Sequence, residues 1–235
     1  MRRRSTAGVT LMELLIAVVL LSLLSVGLLF ALRIGLNAYT KTQSTLMDNR
    51  RVAGAQRILE QELEGLVPVV AQCGQGMEGG GAKAQFFQGE PENMRLVSTF
   101  SLQGAWRGQP QILEIFVIPG AQGGVRLVVN EIPYQGPLAA GSMCLGPGKY
   151  SPASAGPDSF VLADKLAFCR FTYLDQPPDQ NLPPSWSPSF AGTAWPLAVR
   201  IEMAPLAPDA SRLQPISVLA PIHVFRHPEV TYGDN

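Results

Sequence analysis

Charge is scarce in this 235-residue chain: Asp, Glu, Lys and Arg make up 15% of it, against 46% hydrophobic residues. A disordered polyelectrolyte is excluded by that composition. The 18 basic residues are balanced by 18 acidic ones, so the basic surplus of a nucleic-acid binder is also missing. Cysteine is limited to Cys73, Cys144 and Cys169, with no CxxC pair and only two histidines in support, which speaks against a structural zinc site. An odd count also prevents a fully paired intramolecular disulfide set. There is no GxSxG elbow for a nucleophilic serine. The glycine-rich stretch from Cys73 to Ala84 lacks the Lys-Ser/Thr that completes a phosphate loop, and no segment repeats. Nothing here points to an enzyme, a cofactor or a small-molecule substrate.

What charge there is lies unevenly. Arg2, Arg3 and Arg4 open the chain; without them 15 basic residues face 18 acidic ones, a net of −3 over residues 9–235. Further on, Leu14 to Leu32 run without a charge, interrupted only by Ser22, Ser25 and Gly27. As a helix this run spans roughly 28 Å, close to the ~30 Å of a bilayer's hydrocarbon core. The arginines in front of it keep the N-terminus cytoplasmic and send the rest of the chain across the membrane. A cleaved secretory signal has a shorter apolar region and a small-residue cleavage site after it. A plain single-span anchor would satisfy hydropathy equally well.

Glu13 separates these readings. It adjoins the apolar run, behind Val9, Thr10, Leu11 and Met12, where an uncompensated carboxylate costs a few kcal/mol on insertion (about 2.5–3.5 for an acid at mid-span) and marks a functional position. A cut after Gly8 would place the new amine of Val9 four residues before Glu13, one helical turn away. The same cut would strip the arginines, leaving a nearly uncharged N-terminus able to pack among other helices.

Gly8-Val9-Thr10-Leu11-Met12-Glu13-Leu14-Leu15 resembles the class III signal of type IV prepilins and type II secretion pseudopilins. The resemblance implies that a prepilin peptidase cuts between Gly8 and Val9 and methylates the Val9 amine. It also implies that Glu13, at the fifth mature position, pairs with the N-terminus of a neighbouring subunit during fibre assembly. Val9 stands where phenylalanine is usual. Major subunits commonly have proline at the twenty-second mature position; here it is Phe30, which predicts an uninterrupted helix and a minor subunit.

Beyond the apolar run no proline occurs from Arg33 to Gly65, and Val52, Ala55, Leu59, Leu63 and Leu66 recur at helical spacing. This predicts one helix from about Leu11 to Glu64, ended by Gly65 and Pro68. Its stripe should cover a globular head, while Arg50, Arg51, Arg57, Glu60, Glu62 and Glu64 take the solvated side. Strands are expected at Met94–Leu102, Ile112–Ile118 and Val125–Asn130, the last two joined as a hairpin across Pro119 to Gly124. A second group follows the Pro/Gly-rich stretch Pro133–Pro157, at Phe160–Leu174, Leu197–Met203 and Ile216–Phe225. Gln176 to Ser189 holds five prolines and reads as a loop without regular structure. His223 and His227 would share a strand face but have no third ligand nearby. Asp175, Asp179 and Asn181 supply oxygens for calcium without the spacing of an EF-hand loop. Cys73 and Cys144 lie in glycine-flanked loops and are a candidate disulfide outside the reducing cytosol; Cys169, in a strand, reads as a small apolar residue.

The C-terminal part carries a second resemblance. Leu166-Ala-Phe168-Cys-Arg170-Phe171-Thr-Tyr173-Leu174-Asp175, then Trp186, then Trp195-Pro196-Leu197-Ala198-Val199-Arg200-Ile201, is similar in order to the J-type minor pseudopilins of type II secretion (the PulJ/GspJ family). Phe86-Phe87-Gln88-Gly89 followed by Leu96-Val97-Ser98 resembles an earlier stretch of the same family. Together these imply an α+β, type IV pilin-like chain. Its parts would be a leader (residues 1–8), a transmembrane and fibre-core helix (9–32), an amphipathic continuation (33–65) and a periplasmic β-rich head (66–235) with two antiparallel strand groups. The implied partners are I-, K- and G-type pseudopilins, the prepilin peptidase and an inner-membrane assembly platform. The implied place is the inner membrane, then the pseudopilus tip. Ile34, Leu36, Tyr39 and Leu46 are the expected partner contacts on the helix. A minor pilin of a type IV pilus (PilW-like) and a bitopic periplasmic binding protein are the alternatives.

Overall fold

Thr10 starts the first helix: its backbone and side-chain oxygens both accept the Glu13 N–H, at 3.1 and 3.3 Å, as an N-cap threonine does. From there helix α1 runs from Leu11 to Glu64. The computed structural model describes residues 10–73, 82–102, 107–121, 123–146, 149–177, 182–190, 195–206 and 216–223, the side chains of 44–53, 82, 107 and 216 excepted. Two compact units divide the chain, residues 1–48 and 49–235. The architecture is α+β and pilin-like: a long N-terminal apolar helix followed by a β-rich head of antiparallel sheets.

In the second unit the helical stripe is buried at Ala55, Leu59, Leu63 and Leu66; the side chain of Val52 lies outside the described residues. Gly65 ends the helix, and the chain is tied at once to the sheet. The Thr99 N–H donates to the Gly65 carbonyl at 2.9 Å, and the Val67 N–H to that of Val97 at 2.8 Å. A side chain at position 65 would meet the Ser98 hydroxyl at 2.7 Å, so glycine here serves close approach as well as termination.

The strands follow in chain order: β1 (Val70–Cys73), β2 (Ala82–Gln85), β3 (Gln88–Gly89), β4 (Asn93–Phe100), β5 (Arg107–Pro119) and β6 (Val125–Pro133). A five-residue helix α2 (Pro137–Gly141) precedes β7 (Cys144–Gly146), β8 (Lys149–Tyr150), β9 (Phe160–Asp175), β10 (Ser185–Ser187), β11 (Ala198–Pro205) and β12 (Ile216–Pro221). Eight of them form one antiparallel sheet in the order β12-β11-β9-β6-β5-β4-β3, with β10 against β9. The hairpin expected across Pro119 to Gly124 is present, Pro119 opposing Val125. Gly123 and Gly124 turn it at φ 89° and 69°, where glycine alone is at ease.

The two strand groups are the halves of this one sheet. The first part of the sixteen-residue β9 pairs with β6 (Val129 opposite Phe160), and the later part with β11 (Val199 opposite Tyr173). The register shifts between, near Lys165 with its φ of 57°. Two expectations need correction. The segment Gln176–Ser189 is not wholly irregular, because Ser185–Ser187 forms β10, placing Trp186 opposite Leu174; the prolines flank this three-residue piece rather than occupy it. The glycine-rich stretch is bounded by strands, since Cys73 of β1 opposes Ala82 of β2, while residues 74–81 lie outside the description.

The sheet buries both faces over β4–β6, which is why ILEIFVI reads as a continuous apolar run. Leu113 and Ile115 join Leu59 and Leu63 of the helix in the main core, and Ile112 joins Val69, Ala71, Phe86, Val97, Ala140 and Tyr150 in a second one. The structure pairs Cys73 with Cys144 as a disulfide, tying β1 to β7 within this second layer. Cys169 is a buried free thiol, whose burial pushes it up to about 12.

Candidate functional site

The helix carries the chemistry that the sequence singled out. Residues Leu11–Gln43 are long and apolar enough to cross a membrane, which is compatible with a single anchor. The two hydroxyls inside the run are satisfied without leaving it: Ser22 donates to the Val19 carbonyl and Ser25 to that of Leu21, both at 2.8 Å. Internal bonds of this kind remove the cost of a polar group in hydrocarbon. The helix continues through Phe30. Ile34, Leu36 and Tyr39 are exposed within the chain; the Leu46 side chain is not among those described.

Glu13 stands in the first turn, on the helix surface. Thr10-Leu11-Met12-Glu13 has the T-x-x-E spacing of a capping box, but only half of the box forms, the threonine accepting the Glu13 N–H. Among the described residues the carboxylate is left for another partner. Gly8 and Val9 lie outside the described residues. Thr10's capping role went unread in the sequence, although the spacing signals it.

In the head, FFQG at residues 86–89 is explained by alternation. Phe86 faces the second core and meets Tyr150 edge-on at 5.5 Å. Phe87 turns to the opposite side, edge-on to Tyr173, Phe190 and Trp195 at 5.5 to 5.8 Å. Gly89 must lack a side chain, because a Cβ would lie 2.7 Å from that of Phe190 and 2.9 Å from the Tyr173 ring. Gln88 accepts from the Arg95 guanidinium at 2.8 Å.

Arg95 is fully buried, and sequence reasoning passed over it inside a run taken as a strand. Its Nε donates to Glu114 at 3.0 Å and one terminal nitrogen to the Ser151 carbonyl at 2.8 Å, with the guanidinium over the Tyr150 ring. The other Glu114 oxygen accepts from the Asn130 amide at 2.9 Å. The opposing charges at positions 95 and 114 become legible only once β4 and β5 are paired, Arg95 opposite Glu114.

Glu62 is a correction. Expected on the solvated side of the helix, it is fully buried, and neither carboxylate oxygen has a hydrogen-bond partner among the described residues. Burial pushes its pKa from the ordinary 4.5 up to about 8, and the Glu131 carboxylate adds to the rise. The Ser98 hydroxyl is close enough to lower it somewhat but is not placed to satisfy either oxygen. Arg57 and Glu64 do lie in solvent.

The oxygen and imidazole candidates do not converge. Asp175 closes β9 opposite Ser185, and Asp179 and Asn181 lie outside the described residues. His223 is exposed, and His227 falls outside the description. No cluster of three His, Cys, Asp or Glu side chains able to hold a metal occurs among the described residues.

An apolar helix with a glutamate in its first turn, followed by a β-rich head, is a pilin-like arrangement. Residues 3–29 match the prokaryotic N-terminal methylation motif, a match confined to the leader and the apolar run. The motif marks a type IV pilin-like protein of the prepilin type. It implies processing by a prepilin peptidase and assembly with other pilin-like proteins. No curated protein and no solved structure matches the chain.

Proposed function

We propose that the chain is a J-type minor pseudopilin of type II secretion, a structural subunit and not an enzyme. It would enter the inner membrane with its N-terminus cytoplasmic and its head periplasmic, lose residues 1–8, and gain a methyl on Val9. It would then join I- and K-type subunits near the tip of a short pseudopilus and prime its growth on the G-type subunit for protein export. The observation that carries this reading is the methylation motif at residues 3–29 leading into an apolar helix whose Glu13 carboxylate has no partner among the described residues. The FFQG stretch, the β9 motif and Trp195 support the J type, since they meet in one aromatic cluster. The bare glutamate fits a place below the tip, where a neighbouring N-terminus can reach it.

The test is Glu13→Ala. Membrane insertion should be unchanged, because loss of a charge eases it, while co-isolation with I- and K-type pseudopilins should fall. Full co-isolation and export by the variant would remove Glu13 from the mechanism. Wild-type co-isolation with pilus subunits instead would move the chain to the type IV pilus alternative.

A further inference from the structure

The outer face of the sheet is finished over only half its width. Over β4 and β5 it is roofed by the disulfide-linked layer containing Val69, Ala71 and Tyr150. Over β9 to β12 the same face leaves large side chains in solvent: Phe168 is 37% exposed, Trp186 36% and Leu219 56%. Two arginines sit among them. The Arg200 guanidinium lies 3.9 Å above the centre of the Trp186 ring, and that of Arg170 lies 5.7 Å from the centre of Phe168. In register Arg200 stands between Thr172 and Leu219, and Arg170 opposes Glu202.

Neither arginine takes part in a salt bridge among the described residues, where the head's ion pairs are Arg95–Glu114 and Arg126–Asp164. Glu202 has Arg170 directly across the ladder and still does not hold it. A stacked guanidinium has its flat face occupied and its orientation fixed, with the N–H edges left to donate. The group that fits those edges in pairs is a carboxylate. Each guanidinium keeps donors that no carboxylate takes among the described residues, so a neutral or basic partner would bury them unmatched at a cost. A second copy presenting this face would set the arginines against their own counterparts. Trp and Arg, side by side here, are also residues in which contact hot spots are enriched.

We propose that this half-face, centred on Arg200 and Arg170, binds a partner-protein segment that carries Asp or Glu carboxylates between apolar side chains. The inference stands on the head alone and does not depend on the type of fibre.

The experiment uses the full chain in neutral-detergent micelles and three labelled peptides of alternating Leu-Glu, Leu-Gln and Leu-Lys, followed by fluorescence anisotropy at low salt. The Leu-Glu peptide should bind saturably and at least ~tenfold tighter than Leu-Gln, with Leu-Lys not binding. Arg170→Gln with Arg200→Gln should weaken it by ~tenfold or more, the loss expected when one side of a charged contact is removed. Glu202→Gln, which leaves both arginines in place, should tighten it. Equal binding of Leu-Glu and Leu-Gln would overturn the proposal, as would indifference to both sets of substitutions. So would arginine-dependent self-association of the chain in place of peptide binding.

Discussion

Arg95 shows what a single buried charge demands of its surroundings. Removing a guanidinium from water costs several kcal/mol, recovered only if its hydrogen bonds are met. Here Glu114, Gln88 and the Ser151 carbonyl meet them. Arg95→Met should therefore cost about 3–5 kcal/mol, much of it from leaving Glu114 buried and unpaired. Adding Glu114→Leu to that variant should recover a large share; denaturant unfolding of the two variants checks this, and equal losses would contradict it. Glu62 gives the opposite case, a buried acid with no hydrogen-bond partner among the described residues. Its folded pKa of about 8 lies above the ordinary 4.5, so the folded head binds a proton that the unfolded chain releases between those values. Its contribution to stability is thus complete below pH 4.5 and lost as pH rises through about 8. Melting temperatures at pH 5 and pH 8 should differ more in the parent than in Glu62→Gln, which stays neutral throughout. Parallel pH slopes would show that Glu62 is ionised in the fold.

At the scale of elements, long apolar periodicity was plain in the sequence and short pairings were not. The helix from Leu11 to Glu64, its buried stripe and the β5–β6 hairpin follow from spacing and from turn glycines. Glu62 lies beside Leu63 on the packed edge of the stripe, and its burial is not legible because a helical wheel does not say how wide the covered arc is. β10 is not legible in the sequence, because three residues between prolines carry no period; it exists through its pairing with β9 and the stacking of Trp186 under Arg200. The disulfide layer is where local sequence is weakest: β1 and β2 are four residues each and β8 only two. A cross-link between positions 71 residues apart restricts the unfolded chain strongly, worth roughly 4 kcal/mol on the chain-entropy account and commonly 2–4 in practice. Cys73→Ser with Cys144→Ser should lower the stability of the head by about that much. The parent under a reductant able to open the bond should drop to the same value; identical unfolding curves with and without the bond would contradict it.

For the molecule as a whole, the class of fold could be read from one long helix followed by Gly/Pro-punctuated strands. The union of both strand groups in a single sheet could not, because it depends on β9 changing partners near Lys165. The methylation motif matched at residues 3–29 is legible because its signal is local: three arginines, Gly8 and a glutamate before an apolar run. All assembly proposed for this chain passes through one covalent step at that segment. The direct test is the intact mass of the protein extracted from the membranes of its host, for the parent and for Gly8→Val, whose branched side chain denies the close backbone approach that glycine allows. The parent should lack residues 1–8 and carry one added methyl on Val9, and the variant should keep its leader; a mature parent protein that retains Arg2, Arg3 and Arg4 would contradict the account.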